Sequence, residues 1–225
     1  MLFRPPKPLH GWREFFHEIV IVVIGVLLAL GGAQLIDTLR ARSDVASLRA
    51  SVDQELGRNL GIYQHMMAAR PCATRRLAEL ERLLADSQRG RRDRLLRPIG
   101  RPFAQTGFFS VWDNKDSAVI EHMPPELRLR YAELYDEFRN NETVHRDERD
   151  VWRGLSQFEQ PEPLDHADRM RMRELLTRAE QFNEVTRPNY DYILKLADGL
   201  GIRPIGDSNI QPVASDNICQ SLLAP

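Results

Sequence analysis

Hydrophobic residues are distributed in two regimes along the chain. From Ile19 to Ile36 the sequence reads IVIVVIGVLLALGGAQLI, 18 residues without a charge and with Gln34 as the one strongly polar side chain. As a helix this run is about 27 Å long, close to the hydrocarbon thickness of a bilayer. Beyond Ile36 the pattern turns periodic. Val52, Leu56, Leu60, Tyr63 and Met67 are spaced by three or four residues, which places them on one helical stripe. No stop signal separates the two regimes, so residues 37–69 are predicted to continue the apolar helix. Pro71 disfavours helix at the residue before it and predicts a break. Leu77, Leu80, Leu83 and Leu84 then predict a second, short helix over 73–87 that folds back on the first as a hairpin.

The stretch 87–102 holds two prolines, two glycines and six arginines and reads as a loop. Residues 103–112, with Phe108, Phe109, Val111 and Trp112, read as a short strand or, in preference, an irregular segment that plugs the core, and 114–122 as a short helix. Pro124 and Pro125 suit a helical first turn, where a missing amide donor costs little. That helix is expected to reach about residue 158, with Leu127, Tyr131, Leu134, Phe138, Trp152 and Leu155 inward and with fraying or a kink across the polar run 140–150. The PEP at 161–163 marks a break. Asp165 is placed to cap a further helix through Leu175, Leu176, Ala179 and Phe182. This helix is expected to bend or split at Pro188, resume through Tyr190, Ile193 and Leu196, and end at Gly199 and Gly201. The expected fold class is all-α, a membrane helix continuing into a bundle of long antiparallel helices. The expected division is a cytoplasmic segment at 1–18, a transmembrane helix at 19–36, a helical domain at 37–201 and a tail at 202–225.

The flanks bear on the first helix. Trp12, Phe15 and Phe16 precede the span, where amphipathic rings prefer the headgroup region. Gly31, Gly32 and Ala33 also resemble a leader cleavage site, but Glu14 and Glu18 stand where a leader is purely basic. A retained anchor is therefore favoured over a leader or a soluble core helix. Arg4, Lys7 and Arg13 before the span nearly balance Arg40, Arg42 and Arg49 after it, so flanking charge does not orient it. Cys72 and Cys219 form an even pair that suits an oxidising compartment, which favours a cytoplasmic N-terminus and a periplasmic domain in the inner membrane. They are candidates for one disulfide; two unrelated buried thiols is the other reading. Gly25, Ala29 and Ala33 recur every fourth residue, a weak signal for pairing of two such helices.

Composition excludes more than it assigns. A formal net charge of −1 argues against a general nucleic-acid binder. Of 31 basic residues only Lys7, Lys115 and Lys195 are lysine, a bias that a GC-rich genome explains. The histidines at 10, 17, 65, 122, 145 and 166 include no pair four apart on one helix, and His17-Glu18 lacks the second histidine of a metalloprotease motif. The acidic residues of 124–158 alternate with arginines as intrahelical ion pairs do. Arg89, Arg91, Arg92, Arg94, Arg97 and Arg101 suit phosphate or lipid headgroups in chemistry. The long helix carries them far beyond a Debye length of about 8 Å from a bilayer, which favours a solvated loop. No catalytic residue, cofactor or metal site is predicted.

The run HGWREFF, with His10, Trp12, Glu14, Phe15 and Phe16 leading straight into the apolar span, resembles a group of proteobacterial single-span membrane proteins of undefined function. In these a W-x-E-F/L element precedes one membrane helix and a helical domain. The run HMPPELRLRYAELY at 122–135 is similar too. The resemblance implies a membrane anchor and no activity. The expectation is a non-enzymatic protein that contacts the bilayer through 19–36 and a protein partner, or a second copy of itself, through its helical domain. A ligand-sensing module acting through a partner and an enzyme with a dispersed site are the alternatives.

Overall fold

The computed structural model describes residues 12–91, 95–159, 163–206 and 217–223. His10, Arg92, Arg94 and the first two residues of the PEP lie outside them. The first helix, α1, runs from Trp12 to Gln88, 77 residues, roughly 115 Å along its axis. Its N-terminal part contains a stretch of mean hydropathy 2.7, none of it buried by the rest of the chain, long and apolar enough to cross a membrane.

The predicted break at Pro71 does not occur: Pro71 lies inside α1, and the expected hairpin of 37–69 with 73–87 is one continuous helix. Proline removes one backbone hydrogen bond and costs about 3 kcal/mol in a helix interior. Here the ring is exposed, so water can reach the freed carbonyl, while Ala69, Ala73, Leu77 and Leu80 are buried on either side. Packing on both flanks outweighs one missing bond.

Two short helices follow, α2 (Ser110–Asp113) and α3 (Ser117–Glu121), then α4 (Pro125–Leu155) and α5 (His166–Leu200). α4 ends in a 3-10 turn at Ser156–Glu159, and a second 3-10 turn spans Asn217–Cys219. Among the described residues no strand forms; Leu95 and Leu223 make one isolated bridge. The fold is all-α. Tyr131 contacts Asp53, Tyr135 contacts Glu55 and Glu148 contacts Arg70, so α4 runs parallel to α1. α5 runs back, with Asn183 against Thr74 and its C-terminal Ile193, Ala197 and Leu200 in the core around Val52 to Tyr63.

The expected fraying of α4 at 140–150 does not occur, since the helix is continuous from Pro125 to Leu155. The polar run keeps its helical path because Asn141, His145 and Glu148 point inward and are themselves buried. α5 likewise passes Pro188 unbroken; it begins with a capping box between Asp165 and Asp168 and ends on Gly201 at φ 76°, a left-handed cap.

The fourth side of the bundle is not a helix. Residues 95–109 descend along α1 in extended form, with Ile99 beside Arg76, Phe103 against His65 and Phe108 held by Asn59. The described parts of the chain beyond α5, 202–206 and 217–223, pack on the domain. The Ile205 amide donates to the Gly57 carbonyl at 2.8 Å. Farther along, Ile218, Leu222 and Leu223 are buried. Gly57 and Gly61 make room for this crossing: a Cβ at Gly57 would lie 2.8 Å from the Ile205 side chain, and one at Gly61 would fall on the Ile205 carbonyl oxygen.

Gly61→Ala is therefore expected to lower stability by about 1–3 kcal/mol through overpacking, despite alanine's better helix propensity. Gly199→Ala in α5, whose added methyl meets nothing within 4 Å, is expected to raise it by up to about 1 kcal/mol. Thermal denaturation of the full chain in detergent checks both.

Candidate functional site

Three buried polar centres on α1 organise the domain. Near its lower part, Glu55 is 5% exposed. Its carboxylate accepts the Val111 amide at 2.9 Å, the Ser110 hydroxyl at 3.2 Å and the Tyr135 hydroxyl at 2.7 Å. It thereby fastens the first turn of α2 to α1. Burial, with the neighbouring Glu55 charge, pushes the Tyr135 hydroxyl well above its ordinary pKa. One turn on, Asn59 takes both backbone groups of Phe108, accepting its amide at 2.7 Å and donating to its carbonyl at 2.8 Å. Trp112 stacks on Tyr135 at 5.0 Å between centroids.

The upper centre is Arg76, whose side chain is wholly buried. Its Nε donates to Glu79 at 3.1 Å. One terminal nitrogen donates to the carbonyls of Pro98 and Ile99, and the other to those of Asn217, Ile218 and Gln220. Glu79 in turn accepts the Ser221 hydroxyl at 3.0 Å and the Leu222 amide at 3.1 Å. Burial pulls the Arg76 guanidinium below its ordinary pKa, opposed by Glu79, yet arginine remains charged in proteins. One ion pair thus clasps two non-α-helical segments, 95–100 and the turn-containing 217–223, onto one helix. Beside it Cys72 and Cys219 are joined in a disulfide with Cα atoms 4.7 Å apart, and Arg75 donates to the Cys219 carbonyl.

A cavity of about 230 Å3 opens next to this clasp. Pro98, Gly100 and Arg101 form one wall; Arg149, Trp152, Arg153, Ser156 and Glu159 form the other, from the C-terminal end of α4 and the turn after it. Glu159 spends one carboxylate oxygen on the Ile99 amide at 2.8 Å. Of the arginines predicted to form a solvated loop, Arg101 therefore reaches a cavity wall. The level of Arg76 is 40 residues past Ile36, roughly 60 Å along α1.

A third centre is the buried set Arg70, His145 and Glu148. Arg70 binds Glu148 through two bonds of 2.6 and 2.9 Å, and His145 Nδ1 lies 3.4 Å from the same carboxylate. Burial alone would raise the Glu148 carboxyl; the hydrogen bonds from His145 and Arg70 and their charges outweigh it and bring it down to about 2. All three side chains are buried, which fits a cross-brace between α1 and α4.

The remaining residues singled out in the sequence are dispersed. His122 is exposed, its Nδ1 2.7 Å from the Ala118 carbonyl, and His65 packs edge-on against Phe103. Among the described residues no group of three or more His, Cys, Asp or Glu is placed to hold a metal ion. Trp12, Phe15 and Phe16 are exposed and cluster ring to ring just before the apolar stretch. Glu55, Asn59, Arg76 and Glu79 were not predicted. Their one signal was position, since each shares the inward face of α1 with Leu56, Leu60, Leu77 and Leu80. No protein family, curated protein or solved structure matches the chain.

Arg76→Leu leaves Glu79 charged in the interior and five carbonyls without their donor, and is expected to cost about 3–5 kcal/mol. Lysine at 76 does not restore this, because an ammonium lacks the planar fork. The disulfide closes a loop of sequence separation 147. Its loss in Cys72→Ser is expected to cost up to about 5 kcal/mol on the chain-entropy estimate. Denaturation midpoints, with non-reducing electrophoresis for the crosslink, check these values. The low Glu148 pKa stabilises the fold above its unfolded value of 4.5, and this contribution is lost as pH falls from there to about 2. The loss is on the order of 3 kcal/mol. Glu148→Gln is expected to flatten stability across that window, measured by urea denaturation at stepped pH.

Proposed function

We propose that the chain is a single-span protein of the bacterial inner membrane, with residues 1–18 cytoplasmic and the helical domain periplasmic. In this reading the domain is a non-enzymatic interaction module that meets a protein partner. The observation that carries the reading is the continuity of α1, which passes from the apolar stretch into the core without a linker. A flexible tether lets a domain wander; an uninterrupted helix holds it at a set distance from the span. The disulfide supports the periplasmic side, since such bonds persist in oxidising compartments. The exposed aromatic cluster before the apolar stretch supports an interfacial position for Trp12, Phe15 and Phe16.

An alkaline phosphatase fusion after residue 225 is expected to be active and a cytoplasm-dependent fluorescent fusion dark; the reverse overturns the orientation. Crosslinking in intact membranes from positions on the exposed faces of α4 and α5 is expected to give a discrete protein adduct or a self-adduct. A ladder of unrelated adducts, or none, counts against an interaction module.

A further inference from the structure

We propose that the cavity beside the Arg76 clasp binds a small amphipathic oxyanion, a carboxylate or phosphate monoester carried on a short apolar or aromatic body. This goes beyond the interaction role and does not depend on which side of a membrane the domain occupies.

Charge is the first observation. Three arginines, Arg101, Arg149 and Arg153, are among the residues that line the cavity, against one acidic residue, Glu159. One Glu159 oxygen is already taken by the Ile99 amide. Arg101 and Arg149 make no ion pair or hydrogen bond among the described residues. Arg153 has only Asp150, at 2.7 Å, with both side chains largely in solvent, a contact that contributes little. Arginines on α4 near its end also complement the helix dipole, and the carbonyl end of α4 opposes an anion with about half a charge. Neither effect accounts for Arg101, which arrives from the extended segment and adds a full charge from the opposite wall.

Shape is the second. Pro98 is the exposed apolar residue of the wall, and Trp152 beneath it is 1% exposed, so the site offers a small apolar surface beside its arginines. At about 230 Å3 it is smaller than a drug-sized pocket. That size suits a small solute.

Rigidity is the third. Arg76 holds the carbonyls of Pro98 and Ile99, and Glu159 holds the Ile99 amide, so the wall carrying Arg101 is tied at three backbone groups before any ligand arrives. Preorganisation lowers the ordering cost of binding.

The test is calorimetric titration of the full chain in detergent, in buffer free of phosphate, sulfate and carboxylate, with phenyl phosphate, benzoate and inorganic phosphate as probes. Saturable one-site binding of phenyl phosphate or benzoate is expected, and whichever is tighter identifies the headgroup. Arg101→Gln and Arg149→Gln are each expected to weaken it about tenfold, as loss of one charge-assisted contact does. Arg178→Gln, on the exposed side of α5, is expected to leave it unchanged. Denaturation midpoints measured alongside show that each variant is folded. The proposal is overturned if no probe saturates by about 10 mM, or if both wall variants bind as the parent does. It is overturned equally if inorganic phosphate binds as tightly as phenyl phosphate.

Discussion

Extended chain packed against a helix has a problem that neither a helix nor a sheet has. Its amides and carbonyls lose water without gaining a ladder of partners, and each one left unpaired in the interior costs about 1–3 kcal/mol. Residues 95–109 of this protein are in that position along much of α1, and 217–223 shares it beyond its short 3-10 turn. The inward face of α1 answers with four polar side chains set among leucines. Glu55 and Asn59 serve the lower part of the first segment, and Arg76 and Glu79 serve its upper part and most of the second. The same face packs leucines against α4 and α5, braces α4 through the Arg70–Glu148 pair and the Tyr135–Glu55 bond, and turns its remaining polar groups to the two strips.

Hydrophobic spacing made most of the helices legible. The stripes Leu127 to Leu155 on α4 and Leu175 to Leu196 on α5 point inward, because burying them is what holds an isolated helix together in water. Local rules failed where packing overrode them. Pro71 carries a strong helix-breaking signal that depends on its neighbours in sequence alone. The penalty is fixed, whereas the burial of Ala69, Leu77 and Leu80 around it depends on partners a hundred residues away. The polar run 140–150 misleads for the complementary reason. Asn141, His145 and Glu148 read as solvated until Arg70, far off in sequence, is brought opposite Glu148.

The candidate site was less legible than the fold. Arg101 belongs to an arginine-rich stretch whose composition a GC-rich genome explains, and Arg149 and Arg153 alternate with acids as surface helices do. Only the descent of 95–109 beside α4 brings them around Trp152. Arg76 was harder still. On sequence it is one of 28 arginines, and its burial depends on backbone carbonyls that carry no sequence signature. The cysteines were visible as a pair because they are the only two in the chain.

The length of α1 has a mechanical meaning of its own. Membrane helices lean about 20° on average. For a straight axis pivoting at Ile36, that lean moves the level of Arg76 sideways by roughly 20 Å while lowering it by only about 4 Å. A domain built this way sweeps a broad disc at nearly constant altitude. On the proposed single-span reading, a partner would meet the domain at a nearly constant height above the membrane.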